Sequence, residues 1–112
     1  MTVYVDDMEV QHLRYKMCHM IASSDQELRA MAERIGVTQR YHQGDHFDIA
    51  KVKRGLAVAA GAVEITQRQC AAMRARQRAT GELGSPETAV AWLRQYMRDR
   101  KTSGEDASGV RP

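Results

Sequence analysis

The sequence predicts an α/β fold: one small domain with a short, partly parallel sheet flanked by helices, and a helical C-terminal part. Three observations lead there. Short β-branched or aromatic runs at residues 2–5, 16–21 and 62–65 alternate with segments of helical period. Two capping boxes, Ser24-Asp25-Gln26-Glu27 and Thr66-Gln67-Arg68-Gln69, mark helix starts. Gly36, Gly61 and Gly81 stand where helical spacing ends. The resulting order is strand, strand, helix, extended segment, helix, strand, helix, helix, and it suits such a domain.

Thr2-Val3-Tyr4-Val5 reads as a buried first strand ending in a polar turn at Asp6-Asp7. Residues 9–15 show neither period and are expected as a loop. Residues 16–21 are expected as a second strand, with Met17, His19 and Ile21 on one face and Cys18 and Met20 on the other. The Ser24 box opens a helix carrying Leu28, Met31, Ala32 and Ile35 at helical spacing. Residues 37–42 should return as an extended segment before Gln43-Gly44-Asp45 turns the chain. Asp48 is the expected N-cap of the next helix, whose Ile49, Val52, Leu56, Ala59 and Ala60 form an apolar stripe. After the strand at 62–65, the Thr66 box opens a helix to about Thr80. Ser85-Pro86 starts a last helix with Ala89, Trp92, Leu93, Tyr96 and Met97 facing inward.

With 112 residues, 43% hydrophobic and 28% charged, the chain is long enough for one core without disulfide staples. That core should occupy residues 1–101, and the Gly/Ser-containing end at 102–112 is expected to be a disordered tail. No apolar run approaches the roughly 20 residues of a membrane span, and the N-terminus lacks the basic-then-apolar order of a signal peptide. A cytoplasmic protein is therefore expected, with no membrane partner. Cys18 and Cys70 lack the close spacing of a zinc or redox motif and read as reduced, buried thiols. The net charge of +3 is concentrated: residues 65–101 carry eight Lys/Arg against three Asp/Glu. Such helices attract a phosphate backbone or an acidic partner, or simply present a solvated face.

Chemistry concentrates in His46-Phe47-Asp48-Ile49-Ala50-Lys51-Val52-Lys53-Arg54. A cation in the first turn of a helix costs a few tenths to about 1 kcal/mol against the dipole unless something anionic offsets it. Lys51 and Arg54 would lie away from the apolar stripe, with Lys53 flanking it. A phosphate between the helix start, His46 and either Lys53 or the Lys51/Arg54 pair would supply the offset. The plainer alternative is that these long side chains snorkel around a core helix. Asp6 and Asp7 resemble the paired carboxylates of a Mg²⁺ or Mn²⁺ site, to which Asp45 and Asp48 could add oxygens. A turn-forming Asx pair is the favoured reading of the same residues, because adjacent strand residues point to opposite faces. His12, His19, His42 and His46 are candidate ligands or general bases, and His19 on a strand face also fits a hydrogen-bonded core residue. There is no Gly-rich phosphate loop, nucleophile elbow or cysteine-histidine pattern.

Several pieces together resemble a short phage and bacterial family, domain of unknown function family four thousand and thirty-one. They are Val3-Tyr4-Val5-Asp6-Asp7-Met8, Met17-Cys18-His19-Met20-Ile21-Ala22, the Ser24-Asp25-Gln26-Glu27-Leu28 helix start, His46-Phe47-Asp48, Lys53-Arg54 and Ala60-Gly61-Ala62-Val63-Glu64-Ile65-Thr66. The resemblance covers about residues 2–67. The family pattern usually has tyrosine where this chain has Phe47, and a longer loop before it. The resemblance implies Asp6, Asp7, His19, His46, Asp48, Lys53 and Arg54 as functional positions and a phage or prophage source, and it supplies no activity.

Three functions follow as expectations. The leading one is a small, non-enzymatic phage-type protein whose His19, His46, Asp48, Lys53 and Arg54 hold a phosphorylated ligand, a nucleotide or nucleotide-like signal. It would counter host defence in the host cell cytoplasm and need no cofactor. The first alternative is a metal-dependent nuclease or phosphodiesterase, with Asp6, Asp7 and Asp48 holding Mg²⁺ or Mn²⁺, His46 shuttling a proton and Lys53 or Arg54 on the phosphoryl charge. The second alternative is a protein-interaction module using the basic helices and Trp92 as a homo-oligomer. The partners expected are accordingly a phosphorylated small molecule, nucleic acid, a host defence protein or a second copy.

Overall fold

In the computed structural model, which describes residues 2–102, the chain forms a five-stranded mixed sheet flanked by four helices. The strands are β1 (Val3–Val5), β2 (Val10–His12), β3 (Tyr15–Ala22), β4 (Phe47–Ala50) and β5 (Val63–Glu64). The helices are α1 (Asp25–Arg34), α2 (Lys51–Ala59), α3 (Gln67–Thr80) and α4 (Pro86–Thr102). β3 is the hub: it pairs antiparallel with β1, β2 and β4, and β1 pairs parallel with β5. The expected partly parallel α/β domain is thus the observed one. The tail expected at 102–112 lies outside the described residues apart from Thr102, which ends α4.

Alternation along the strands divides the core in two. Val3, Val5, Cys18, Met20, Ala22, Phe47 and Ile49 face α1 and α2 and meet Leu28, Ala32, Ile35 and Ala57. On the other face Tyr4 and Ile21 pack with Ile65, Cys70, Met73, Leu83 and Ala89 beneath α3 and α4. Local signals fix the helix ends. The Ser24 side chain accepts from the Glu27 N–H, both halves of the Thr66/Gln69 capping box are made, and Gly81 adopts the left-handed C-cap (φ 86°).

Two pieces of irregular backbone position the site. Asp6 N–H donates to the His19 carbonyl (3.1 Å) and Val10 opposes Met17, so residues 7–9 oppose Cys18 alone and bulge from the sheet. Beyond β4, His42 bridges to Phe47, which holds the preceding turn against that strand.

Five expectations are corrected. Residues 9–15 are not a loop: they hold β2, the start of β3 and the tight turn between them. Val10, Gln11 and His12 are all exposed, so no hydrophobic alternation announced the strand. Residues 37–42 include a single 3-10 turn at Gln39–Tyr41. Asp48 is not an N-cap but the middle of β4, and α2 starts at Lys51 behind Ala50, which makes no side-chain cap. Phe47 and Ile49 alternate into the core against β3, and that burial outweighs a capping signal. The late start rotates α2: Val52 (68%) and Leu56 (49%) are exposed, and Ala57 is the buried residue. Met97 of α4, expected inside, is also exposed.

Candidate metal centre

Register places three polar side chains in a row on the sheet face that α3 approaches. Asp6 lies beside His19 at the end of β1, and His19 is directly opposite Asp48 across β3 and β4. His46, two residues before Asp48, projects to the same side, and its ring meets that of His19 edge-on at 5.2 Å between centroids.

Asp6 is wholly buried and fully engaged. Its Oδ1 accepts from the His19 N–H (2.8 Å) and the Met8 N–H (3.3 Å), the latter closing an Asx turn. Its Oδ2 accepts from His19 Nδ1 at 2.8 Å, and the Cys70 sulfur lies within 4.8 Å of the same carboxylate. Three donors thus engage both carboxylate oxygens. Burial raises the Asp6 pKa, but the hydrogen bonds from the His19 ring and backbone outweigh it and hold the carboxyl below its usual range. Asp6 is therefore an anchor for His19, with both of its oxygens engaged. The thiols match the expectation of buried, reduced cysteines: burial, with Asp6 next, pushes Cys18 up to about 12, and Cys70 moves the same way.

The two histidines are held alike. An ionised carboxylate can only accept, so His19 Nδ1 donates to Asp6 and leaves Nε2 with a bare lone pair in the neutral ring. His46 Nδ1 donates to Asp45 Oδ1 at 2.7 Å, which likewise frees Nε2, 3.4 Å from Asp48 Oδ1. Asp45 is fixed in turn by Arg74 (3.3 Å) and Arg78 (3.2 Å) of α3. Burial raises its pKa, but the bonds from His46 and Arg74 bring it below the ordinary value. Asp48 Oδ2 accepts from the Gln43 amide at 2.8 Å. Ligand atoms of His19, His46 and Asp48 lie within 4.8 Å of one another. Bond lengths of about 2.0–2.2 Å around a tetrahedral ion require roughly 3–3.5 Å between ligands, so small rotations close the set. Two histidines backed by carboxylates and one carboxylate ligand leave coordination positions open, as in catalytic rather than structural metal sites. Asp6, His19 and Cys70 also converge, but Asp6 and His19 Nδ1 are spent on each other there.

The other candidate residues lie elsewhere. Asp7 is exposed and its Oδ1 accepts from the Gln67 N–H (2.6 Å) at the start of α3, so the Asp6-Asp7 pair diverges. The Lys53 ammonium lies beside Gly36, where a Cβ would sit 3.1 Å from it, at the negative end of the α1 dipole. Arg54 donates to the Asp6 carbonyl (2.8 Å) and to Glu64 (3.1 Å), while Lys51 and Lys16 share Glu9. The strand end and the α2 start meet at a cleft of about 210 Å³ lined by Asp7, Glu9, Lys51 and Arg54, but its own carboxylates, Asp7 and Glu9, are the anions there. His42 bonds Asp25 and packs on Phe47, a structural place, and His12 is exposed on β2. Arg74 and Gln43 were missed, and no local signal marks either. The adjacency of Asp45 and His46 was the one legible hint of the anchoring.

Fold and site define a small α/β protein with a candidate two-histidine, one-carboxylate centre on an open sheet face. The family model described as "Protein of unknown function (DUF4031)" matches residues 3–77, and the chain belongs to that family. The matched span holds every residue of the cluster and ends within α3. No curated protein and no solved structure matched the chain. Among the described residues, no helix is long and apolar enough to cross a membrane.

Proposed function

We propose that this protein binds a divalent transition metal through His19 Nε2, His46 Nε2 and Asp48, and uses it to hydrolyse a phosphate ester, as a metal-dependent phosphodiesterase does. One observation carries the reading: both imidazoles are held through Nδ1 by a carboxylate, which leaves Nε2 of each unspent, and ligand atoms of His19, His46 and Asp48 lie within 4.8 Å of one another. A metal with three protein ligands keeps a place for water and lowers that water's pKa from 15.7 towards about 7. Arg74 and Arg78 pair with Asp45 and so fix the carboxylate that orients His46. A metal-free phosphate pocket at α2 has less support, because Lys51 and Arg54 are already paired and Lys53 faces α1.

Isothermal titration and Co²⁺ absorption test the site, and hydrolysis of an activated phosphodiester tests the chemistry. One Zn²⁺, Mn²⁺ or Co²⁺ should bind per chain, raising stability by about 2.7 kcal/mol at a hundred times its dissociation constant. His46→Ala and Asp48→Asn should abolish both binding and metal-dependent turnover. Binding equal to wild type in both variants would sink the proposal. Metal uptake without turnover on phosphodiesters or nucleotides would restrict the function to capture of a phosphorylated ligand on the metal.

A further inference from the structure

α3 and α4 cover only part of the sheet face that carries the cluster. Tyr4 and Ile21 pack beneath them, whereas Val10, His12, Tyr15 and Met17 share that face by register and continue past the helices. Tyr41 joins them, lining one groove with Val10, Met17 and Asp48. Val10, Tyr15 and Tyr41 are each about half exposed, at 53%, 47% and 48%. A groove of about 240 Å³ crosses this surface, lined by Val10, His12, Met17, Tyr41, Gln43 and Asp48. It ends on a candidate metal ligand.

We propose that this uncovered half of the sheet is a platform for the bases of single-stranded nucleic acid, which names the substrate class of the centre proposed above and rests on that reading. Unpaired bases stack on aromatic rings displayed by a sheet, without need of a sequence-specific hydrogen-bond code. Tyr41 and Tyr15 offer such rings, and the Arg40 guanidinium, 5.1 Å from the Tyr41 ring centroid, adds positive charge to that wall. Because Asp48 lines the groove and also belongs to the cluster, a base seated against Tyr41 brings its own phosphate to the metal. Arg78, its side chain 61% exposed beside Asp45, is the cation offered to a neighbouring phosphate. The charge agrees, since residues 65–101 carry eight Lys/Arg against three Asp/Glu. Size argues for a strand over a free nucleotide: pockets that enclose a whole small molecule run about 300–1,000 Å³, and this groove is smaller. A duplex keeps its bases stacked inside and cannot use the platform.

Fluorescence anisotropy with labelled oligothymidine, oligouridine and a duplex of equal length, in EDTA to stop hydrolysis, tests the platform. The single strands should bind at least about tenfold more tightly than the duplex. Tyr41→Ala should weaken them about tenfold, within the range of one lost base stack, and Tyr41→Phe should restore them. Arg78→Ala should lower the salt slope by about 0.7, the release expected for one single-strand phosphate contact. Equal affinity for the duplex, an unchanged affinity in Tyr41→Ala, or full competition by a mononucleotide at equal phosphate would overturn it. Co²⁺ absorption, read on the same variants without EDTA, separates the two proposals. Tyr41-dependent strand binding by a protein that takes up no Co²⁺ removes the metal reading alone, and Co²⁺ uptake with Tyr41-independent binding removes the platform alone.

Discussion

Asp6 shows how much one buried charge can organise. Its carboxylate replaces the missing backbone acceptor opposite the His19 N–H, pins the bulge through the Met8 N–H and fixes the His19 ring. Asp6→Asn keeps the shape, but its amide nitrogen cannot accept, so one or more buried donors lose a partner at about 1–3 kcal/mol each. We expect a loss of about 2–3 kcal/mol at neutral pH, measured by urea denaturation, and a 10–100-fold loss of metal affinity as the anchor weakens. The pH dependence should differ as well. A carboxyl whose folded pKa is lowered contributes stability that is complete above its unfolded value of about 3.9 and disappears as pH falls through the folded value. The gap between wild type and Asp6→Asn should therefore narrow as pH falls below about 4. A gap that persisted at low pH would show that the carboxylate charge contributes nothing. Sequence reading named Asp6, His19, His46 and Asp48 and favoured a turn-forming role for Asp6, with metal ligation as the alternative, yet it did not see the anchoring of His19. The pairing that makes it an anchor spans thirteen residues and a bulge, and no local pattern encodes it.

At the scale of elements, legibility follows the range of the deciding interaction. The Ser24 side-chain cap and the Thr66/Gln69 capping box each span four residues, so α1 and α3 could be read directly from Ser24 and Thr66. The segment from Phe47 to Leu56 satisfies two periods: Phe47 and Ile49 alternate as a strand, while Ile49, Val52 and Leu56 recur as a helix. Pairing with β3 settles it as strand then helix, and that pairing was invisible locally. The β2–β3 hairpin was missed for the opposite reason, since its outer strand buries nothing. Its tip holds Leu13 at φ 57° and 81% exposed, a left-handed conformation that costs a branched residue roughly 1–2 kcal/mol. Leu13→Asn should recover about 0.5–1 kcal/mol, because asparagine tolerates this region. A thermal melt checks it, and an unchanged or lower melting temperature would mean that Leu13 gains from a contact what its backbone loses.

The whole molecule is two cores on one sheet, and the family match divides them unevenly. Matched residues 3–77 contain the α1/α2 core entirely, but α4 lies beyond the match and still seals the second core with Ala89, Val90 and Leu93. The residues it helps to cover include Ile21 and Met73, both fully buried, and Ile65 at 5% exposure. Each such side chain loses about 1.5–3 kcal/mol when fully returned to water, against a total stability of about 5–15 kcal/mol for a domain. Even partial exposure of the three would take a large share of that total. α3 would lose its neighbour too, and α3 carries Cys70, which packs close to Asp6, and Arg74, which bonds Asp45, behind the two histidines. A chain ending at Thr80 should therefore melt far below the full chain, bind a hydrophobic dye in its folded baseline and hold Co²⁺ weakly, with circular dichroism and Co²⁺ absorption as the readouts. If it melts with the full chain, α4 is an appendage and the second core is held by α3 alone. If it melts early but keeps full Co²⁺ affinity, the metal centre belongs to the first core and the sheet, and Asp45 orients His46 without help from Arg74.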